Sequence, residues 1–295
     1  MPYPKPTLRP ATEQDIPSLL PLVLTSFRSF PLFSYLHSPL DNNLDLFHDT
    51  IYHWTARFLI GILDERTEVV VAEVPGGSLD SGEGGGGEGG EGAREERERS
   101  EEVMRMGWEA MGWLERMGMD MSKGEEEMVV VGFAIWEGRG AEGGKMGDGD
   151  GNGEVGEKLQ AIIQEVNEHT AHSPRQDQDP LRMEAFKISE ANLRKQFYNL
   201  PNPTLYLDAL CVDFRYQRRG IGKQLLETGL NLAKVKGWDV WTEASPMGLG
   251  LYLKMGFRQV GEFVVGEPDV GGGIRMPVLK CEVGSLGGAE GEVRK

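Results

Sequence analysis

The stretch QRRGIGK, residues 217–223, has the residue types of a loop that holds phosphate. Gly220 and Gly222 would let the backbone approach an anion closely, and two arginines and a lysine add positive charge. A strand-like run precedes the loop and a helix-like run follows it. The free N–H groups at the start of that helix would therefore point at the ligand. The pattern predicts a pyrophosphate site, whatever the rest of the ligand is.

Two familiar phosphate loops fit this stretch poorly. A Walker A loop requires G-x-x-x-x-G-K-[ST], but Gln217 stands at the first glycine position and Gln224 follows the lysine. A dinucleotide fingerprint requires G-x-G-x-x-G, and Leu225 replaces its third glycine. Glu243 lies about where the ribose-binding acid of that fingerprint would be. A nucleotide-binding oxidoreductase therefore stays open as a weaker interpretation.

The elements that must position this loop follow an α/β pattern. Apolar, β-branched runs predict strands, and apolar residues at helical spacing, such as Trp54 and Phe58, predict helices. Gly256 is a natural end for the last helix. The predicted strands cover residues 7–12, 68–74, 128–137, 205–212, 239–244, 258–265 and 275–283. The predicted helices cover residues 12–27, 40–63, 180–197, 220–236 and a short segment that ends near Gly256.

The chain's acidity is concentrated in two glycine-rich stretches. The formal net charge is -16, and residues 80–102 and 137–157 carry ten of the excess negative charges. Glycine loses the most backbone entropy on ordering, and these stretches have few apolar residues to bury in return. We therefore expect one domain over residues 1–295, with disordered insertions at about 76–102 and 137–157. Residues 103–121, rich in Met and Trp, are expected to form an amphipathic helix that packs on the domain or binds a partner.

Composition excludes several classes of protein. Cys211 and Cys281 are the only cysteines, so neither a disulfide framework nor a multi-cysteine zinc site is expected. No signal peptide and no apolar run of membrane-spanning length is visible, which indicates a soluble protein of the cytoplasm or the nucleus. The negative charge argues against nucleic-acid binding. The oligomeric state is not readable from the sequence.

Two apparent metal sites are incomplete. Residues 148–159 begin like an EF-hand loop, but Leu159 occupies the twelfth position, where the loop needs a bidentate glutamate. His169 and His172 have no clear third ligand, and a solvated segment is the favoured interpretation. No metal site is predicted.

A longer stretch favours a third kind of phosphate loop. Gln217, Gly220 and Gly222 match the motif Q/R-x-x-G-x-G/A in register. The 59 residues 205–263 also contain a strand that ends in TEAS and the segment LYLKMGF, residues 251–257. In these features, with a core region at 204–266, the chain resembles the GNAT N-acetyltransferases, and fungal members in particular. The N-terminal half resembles the family in the order of its elements and not in motif.

The resemblance implies the GNAT fold, an α/β fold with a mixed central sheet of about six to seven strands flanked by helices. The two central parallel strands of that sheet splay apart, and a β-bulge in the first exposes backbone groups. Acetyl-CoA would be the acyl donor. The backbone of Leu210, Cys211 and Val212 would then bind the pantetheine arm. The pyrophosphate would be held by Gln217, Arg218, Arg219, Gly220, Ile221, Gly222 and Lys223.

Two side chains are candidates for the chemistry of transfer. The resemblance places Tyr252 near the sulfur of CoA, where it would act as general acid, although a tyrosine that only packs is the alternative. Asp208 is a candidate general base, because a carboxylate in an apolar strand is costly unless it has a structural or functional partner. Strand periodicity places it on one face with Tyr206, Leu210 and Val212.

Three other residues near the loop have competing interpretations. Glu243 is a second candidate base. Ser245 would contact the cofactor or, more simply, cap the helix that begins at Pro246. Cys211 is interpreted as a buried thiol and not as a nucleophile.

The sequence therefore predicts an N-acetyltransferase that transfers an acetyl group from acetyl-CoA to an amine. A CoA-binding module without catalysis, which serves regulation or interaction, is the alternative of a different class. The acceptor is not readable from the sequence: a small amine, an antibiotic-like compound, a protein N-terminus and a lysine side chain all stay open.

Overall fold

A computed structural model describes residues 5–27, 30–37, 47–76, 128–140, 154–172, 175, 177–198, 202–267 and 272–284. Within these residues the strands form one seven-stranded sheet in the order β1-β2-β3-β4-β5-β7-β6. Neighbouring strands are antiparallel except for β4 and β5, which are parallel. The strands are β1 (Thr7–Pro10), β2 (Thr67–Pro75), β3 (Met128–Arg139), β4 (Thr204–Val212), β5 (Asp239–Glu243), β6 (Arg258–Glu267) and β7 (Gly272–Cys281).

Helices cover both faces of this sheet. A 3-10 turn (Glu13–Asp15) leads into the first helix, and the fifth helix continues into a π-helical turn (Arg194–Tyr198). The helices are α1 (Ile16–Phe27), α2 (Pro31–Leu36), α3 (Phe47–Leu63), α4 (Glu154–His172), α5 (Pro180–Leu193), α6 (Ile221–Lys236) and α7 (Pro246–Lys254). The mixed sheet flanked by helices confirms the predicted fold class.

The apolar core lies on the two faces of the sheet. On one face, which we name the acceptor face after the acceptor that the sequence leads us to expect, α1, α3 and α4 pack over the sheet's first half, and α2 and α5 pack over its second half. On the opposite face, which we name the cofactor face after the expected cosubstrate, α6 and α7 pack on the central strands. A Cβ added to Gly229 of α6 would lie 2.3 Å from the Trp136 ring of β3. The absence of a side chain there lets α6 approach the sheet closely.

Several predicted boundaries change. The predicted strand 128–137 continues to Arg139, and α4 begins at Glu154. The insertion predicted at 137–157 therefore includes residues of a strand at one end and of a helix at the other. Helix α4 itself was not predicted, although Leu159, Ile162 and Val166 recur at helical spacing. Ile162 is fully buried in the acceptor-face core. The predicted segment 103–121, the rest of both insertions and the first residues of the EF-hand-like stretch lie outside the described residues.

Candidate active site

The central strands separate two residues before β5 ends. Backbone pairing between β4 and β5 joins Thr204, Leu205 and Tyr206 to residues 239–241 and then stops. Beyond it, the Thr242 hydroxyl donates to the Leu207 carbonyl across 2.9 Å. From there β4 continues beside β3, while β5 pairs with β7. The two strands therefore splay apart, as predicted, and open a gap along the edge of β4.

A β-bulge lies in β4 beside this gap. Ala209 pairs with Ile135 and Leu207 pairs with Trp136, so Asp208 is the extra residue between two paired neighbours. Asp208 and Ala209 consequently both face the acceptor side, where Ala209 joins the core beneath α1 and α3.

The bulge overturns the predicted alternation of β4. Tyr206 and Asp208 share the acceptor face, but Leu210 and Val212 pack on the cofactor face. A strict period of two fails because the extra residue reverses the direction of every side chain that follows it.

The glycine loop brings backbone N–H groups to the cofactor face. Gly220 has φ +82°, and Arg218 also lies in the left-handed region at φ +62°. The Gln217 side chain donates to the Val212 carbonyl across 3.1 Å, which ties the loop to the end of β4. The first helical bond runs from Gln224 N–H to the Gly220 carbonyl. The N–H groups of residues 221–223 precede that bond and are therefore available to an anion.

Two of the three charged side chains of the loop have partners within the protein. The Arg219 guanidinium lies 5.3 Å from the centre of the buried Tyr216 ring. Lys223 forms an ion pair with Glu227 at 3.4 Å, and Arg218 is exposed. The backbone of the loop is thus the better-defined anion site, and the role of its side chains stays a prediction.

Tyr252 of α7 lies beside the gap on the cofactor face. It is buried, and its ring contacts Phe257 with centroids 5.6 Å apart. Burial, with a smaller contribution from the nearby Cys211 thiol, raises the pKa of Tyr252. The phenol is therefore protonated at neutral pH, as a general acid must be.

Ser245 and Cys211 have structural roles. The Ser245 hydroxyl accepts from the Gly248 N–H at 3.1 Å and caps α7, which positions Tyr252. Cys211 is 3% exposed, and burial raises the pKa of its thiol to about 12. The prediction of a buried thiol is therefore confirmed, and its raised pKa disfavours the reactive thiolate.

A half-buried carboxylate lies on the acceptor face at the end of β5. Glu243 accepts hydrogen bonds from the hydroxyls of Tyr198 and Tyr206, one on each carboxylate oxygen. The Arg139 guanidinium stacks 3.4 Å from the centre of the Tyr206 ring and binds Glu137 at 2.8 Å. Burial is the main cause that raises the pKa of Glu243, against the opposing effect of the two hydroxyl donors.

Asp208 is held on the same face by an ion pair. The Arg57 guanidinium of α3 donates through Nε to Asp208 Oδ2 at 3.1 Å, and its second nitrogen contacts the same oxygen. The Asp208 carboxylate in turn raises the pKa of Arg57. One turn earlier on α3, His53 is exposed, yet the surrounding protein and two arginines lower its pKa to about 4.

The sequence did not predict three of these groups. Tyr198, Arg139 and Arg57 lie 45, 104 and 151 positions from the carboxylates Glu243 and Asp208 that they surround. No local motif marks them. Only the π-helical turn that carries Tyr198 is a feature often found at functional sites.

Comparison with protein families agrees with this geometry. Residues 187–259 match the family described as "Acetyltransferase (GNAT) domain", and this stretch spans the glycine loop, the splayed strands and Tyr252. Over this stretch the chain is therefore similar to a GNAT acetyltransferase domain. The finding does not support a fungal subfamily within it. No curated protein matches the chain.

Solved structures of distant sequence align with nearly the whole of this chain. One is the structure described as "histone acetyltransferase HPA2 and related acetyltransferase" from Corynebacterium glutamicum. Its sequence is 14% identical to this one, the alignment covers 95% of this chain and 97% of that chain, and the TM-score is 0.44. Another is arylalkylamine N-acetyltransferase 2 from Aedes aegypti, which is 14% identical. The alignment covers 94% of this chain and 99% of that chain, and the TM-score is 0.47. The putative acetyltransferase yncA from Salmonella typhimurium, determined with acetyl-CoA, is 11% identical, with 95% of each chain covered and a TM-score of 0.38.

The described residues give no support to the alternative sites considered for this sequence. The mixed sheet is not the open parallel sheet of a dinucleotide fold, and Leu225 is fully buried where that fingerprint needs a glycine. Among the described residues, no group of His, Cys, Asp or Glu is arranged to hold a metal ion. None of the described helices has the length and apolarity needed to span a membrane.

Proposed function

We propose that this chain transfers an acetyl group from acetyl-CoA directly to an amine. The observation that carries the proposal is the gap between β4 and β5, with the amide groups of the α6 N-terminus at one end and Tyr252 beside it. A narrow ligand with a terminal pyrophosphate and a reactive group at the other end fits such an arrangement.

The residues present fit acetyl-CoA as cosubstrate. The splay frees the Leu210 backbone and the Val212 N–H on the side towards β5, where an extended pantetheine arm could add as a strand. The backbone groups of Cys211 point towards β3 instead, and the Val212 carbonyl accepts from Gln217. The amides of residues 220–223 would bind its pyrophosphate. Arg218, Arg219 and Lys223 would contribute charge, and Gln217 would act by holding the loop.

The two faces of the gap suit the two halves of the reaction. When the amine attacks the thioester carbonyl, a C–N bond forms and the C–S bond breaks. Tyr252, on the cofactor face, would donate a proton to the departing sulfur. The amine must be uncharged to attack, so a proton acceptor is needed on the opposite face. Two carboxylates, Asp208 and Glu243, lie there.

Binding and transfer can be tested separately. Calorimetric titration should show binding of acetyl-CoA and none of NAD. Release of free CoA thiol should then be followed with 2-phenylethylamine, spermidine, a lysine-containing peptide and hydroxylamine. Absence of acetyl-CoA binding would overturn the proposal. Binding without transfer to any of these nucleophiles would favour the non-catalytic CoA-binding module.

A further inference from the structure

Glu243 differs from Asp208 in how its charge is balanced. Asp208 forms an ion pair with Arg57, whose guanidinium contacts it through two nitrogens. Among the described residues, the hydrogen-bond donors on Glu243 are two uncharged phenols. The nearest guanidinium, that of Arg139, forms its ion pair with Glu137. Glu243 therefore offers a negative charge that no salt bridge within the described residues neutralises.

The surroundings of this carboxylate suit an ammonium group. Tyr198, Tyr206 and Trp241 form aromatic contacts around it, with the Tyr198 ring centroid 5.3 Å from that of Tyr206 and 5.6 Å from that of Trp241. Aromatic faces beside a carboxylate favour a cation, and Arg139 already lies over the Tyr206 and Tyr198 rings while Lys280 lies over the Trp241 ring. The ammonium group of an acceptor would therefore be held by the carboxylate and by the phenol oxygens. Each phenol already donates its proton to Glu243, so each oxygen can still accept a hydrogen bond from an ammonium N–H.

Position along the sheet places Glu243 at the reaction centre. It is the last residue of β5, two positions beyond the last backbone pair with β4. Its partners Tyr198 and Tyr206 belong to the acceptor-face core, whereas Tyr252 belongs to the cofactor-face core. A thioester in the gap would therefore lie between Glu243 and Tyr252.

We infer that Glu243, held between Tyr198 and Tyr206, receives the ammonium group of a primary-amine acceptor and accepts its proton. The inference rests on the proposed acetyl transfer. The ammonium gives one proton to the carboxylate, and the neutral nitrogen attacks the acetyl carbon. As the C–S bond breaks, Tyr252 protonates the sulfur, and the proton that the new amide nitrogen loses restores the phenol. Glu243 then releases its proton to solvent, so one proton is released per turnover.

The environment of Glu243 also suits reversible protonation. The titratable and charged groups that act on it are Tyr198 of the π-helical turn, Tyr206 and Asp208 of β4, and Arg139 of β3. Burial raises its pKa, which makes the carboxylate a better proton acceptor than an exposed glutamate. Asp208, paired with Arg57, acts as a positioning residue that fixes α3 against the bulge.

Two nucleophiles distinguish a proton acceptor from a structural carboxylate. 2-Phenylethylamine is an ammonium ion at neutral pH, whereas hydroxylamine is mostly uncharged and needs no base before attack. With Glu243→Gln we expect a loss of about 10²-fold in kcat with 2-phenylethylamine. The rate with hydroxylamine and the affinity for acetyl-CoA should change little. Asp208→Asn, the matched amide variant, should lower both rates by the same factor.

A second variant tests the protonation of Glu243 by removing the hydrogen bond that Tyr198 donates to it. The Tyr198 hydroxyl stabilises the ionised carboxylate, so Tyr198→Phe should raise the pKa of Glu243. The acid limb of kcat/KM for 2-phenylethylamine should then move to higher pH. Tyr52→Phe, on α3 beside His169, is the matched control and should leave the limb in place.

The outcomes separate this inference from the proposed function. Equal losses with both nucleophiles in Glu243→Gln, or an acid limb that Tyr198→Phe does not move, would overturn the role of Glu243 while leaving acetyl transfer intact. If the wild-type protein binds acetyl-CoA and transfers to hydroxylamine but not to any ammonium-type amine, the acceptor class is wrong. Failure of wild-type acetyl-CoA binding would instead remove the proposed function.

Discussion

The Thr242 hydroxyl and the Leu207 carbonyl join β5 to β4 across 2.9 Å, immediately after backbone pairing between the strands has ended. Both groups are buried in the wall of the gap. A side-chain hydrogen bond thus takes the place of the next backbone hydrogen bond between the two strands. This bond sets the point at which the strands separate, and it lies one residue before Glu243 in sequence.

Removal of this bond should loosen the origin of the splay. Thr242→Val keeps the shape of the side chain but deletes its donor, and we expect a loss of about 1 kcal/mol in the free energy of unfolding. Urea denaturation measures the loss, and the affinity for acetyl-CoA should fall with it. Thr25→Val, which removes a hydroxyl bond made by an exposed residue of α1, is the control. An equal fall in affinity in both variants would contradict this role for Thr242.

Two glycines at opposite ends of α6 allow a matched test of the loop. Gly220 has φ +82° and Gly237 has φ +72°, and a Cβ added to either would meet no atom within 4 Å. Valine at either position should therefore cost about 1–2 kcal/mol through backbone strain alone. Only Gly220→Val should also abolish acetyl-CoA binding, because only that glycine lies in the loop that approaches the pyrophosphate.

Calorimetry and thermal unfolding of the two valine variants check this pair. Similar losses of stability with a selective loss of binding at Gly220 are expected. Retention of acetyl-CoA affinity in Gly220→Val would show that the loop does not contact the cofactor. The positive φ of Gly220 is a second reason for this glycine, beside the close approach to an anion that the sequence predicts.

The close approach of α6 to the sheet makes a separate prediction. Gly229→Ala would place a methyl group 2.3 Å from the Trp136 ring, so the helix or the ring must shift. Overpacking of this kind costs about 1–3 kcal/mol. Gly250→Ala in α7, where a Cβ meets no atom within 4 Å, should be neutral or stabilising. Chemical denaturation of the two variants gives the comparison, and equal stabilities would contradict the packing argument.

Much of the cofactor side could be predicted because its signals are local. The strand predicted at 205–212 is β4, Thr204–Val212, and the helix predicted at 220–236 is α6, Ile221–Lys236. Glycines mark the turns at both ends of α6, and Gly220 and Gly237 do have positive φ. The apolar residues of α4 also recur at helical spacing, a local signal that is sufficient to predict this helix.

The acceptor side could not be predicted in the same way. Tyr198 and Tyr206 meet Glu243 from 45 and 37 residues away, and Arg57 reaches Asp208 from 151 residues away. Such contacts depend on how whole elements pack. The bulge at Asp208 likewise depends on register against β3, and a periodicity of two within β4 alone cannot reveal it.

Two histidines near the acceptor face should make stability depend on pH. The pKa of His37 is lowered by burial, and that of His53 is lowered to about 4 by its surroundings and nearby arginines. In the unfolded chain both would titrate near 6.5. Between about 6.5 and 4 the unfolded state therefore binds more protons, so the free energy of unfolding should fall as the pH falls.

Denaturant titrations between pH 7.5 and 4.5 check this dependence. The double variant His37→Asn, His53→Asn should show a flatter decline than the wild-type protein, whatever its stability at pH 7.5. A decline of the same slope in both proteins would assign the acid sensitivity to other groups. The comparison uses slopes because the substitutions themselves are expected to alter the stability.

Tyr252 completes the proposed mechanism on the cofactor face. Tyr252→Phe removes the phenol that would protonate the departing sulfur but keeps the ring that packs on Phe257. We expect kcat to fall by roughly 10²-fold while the affinity for acetyl-CoA changes little, since a general acid acts mainly in the transition state. Steady-state thiol release and calorimetry on the same preparation give both quantities. An unchanged kcat would remove Tyr252 from the role of general acid and leave it as a packing residue of α7.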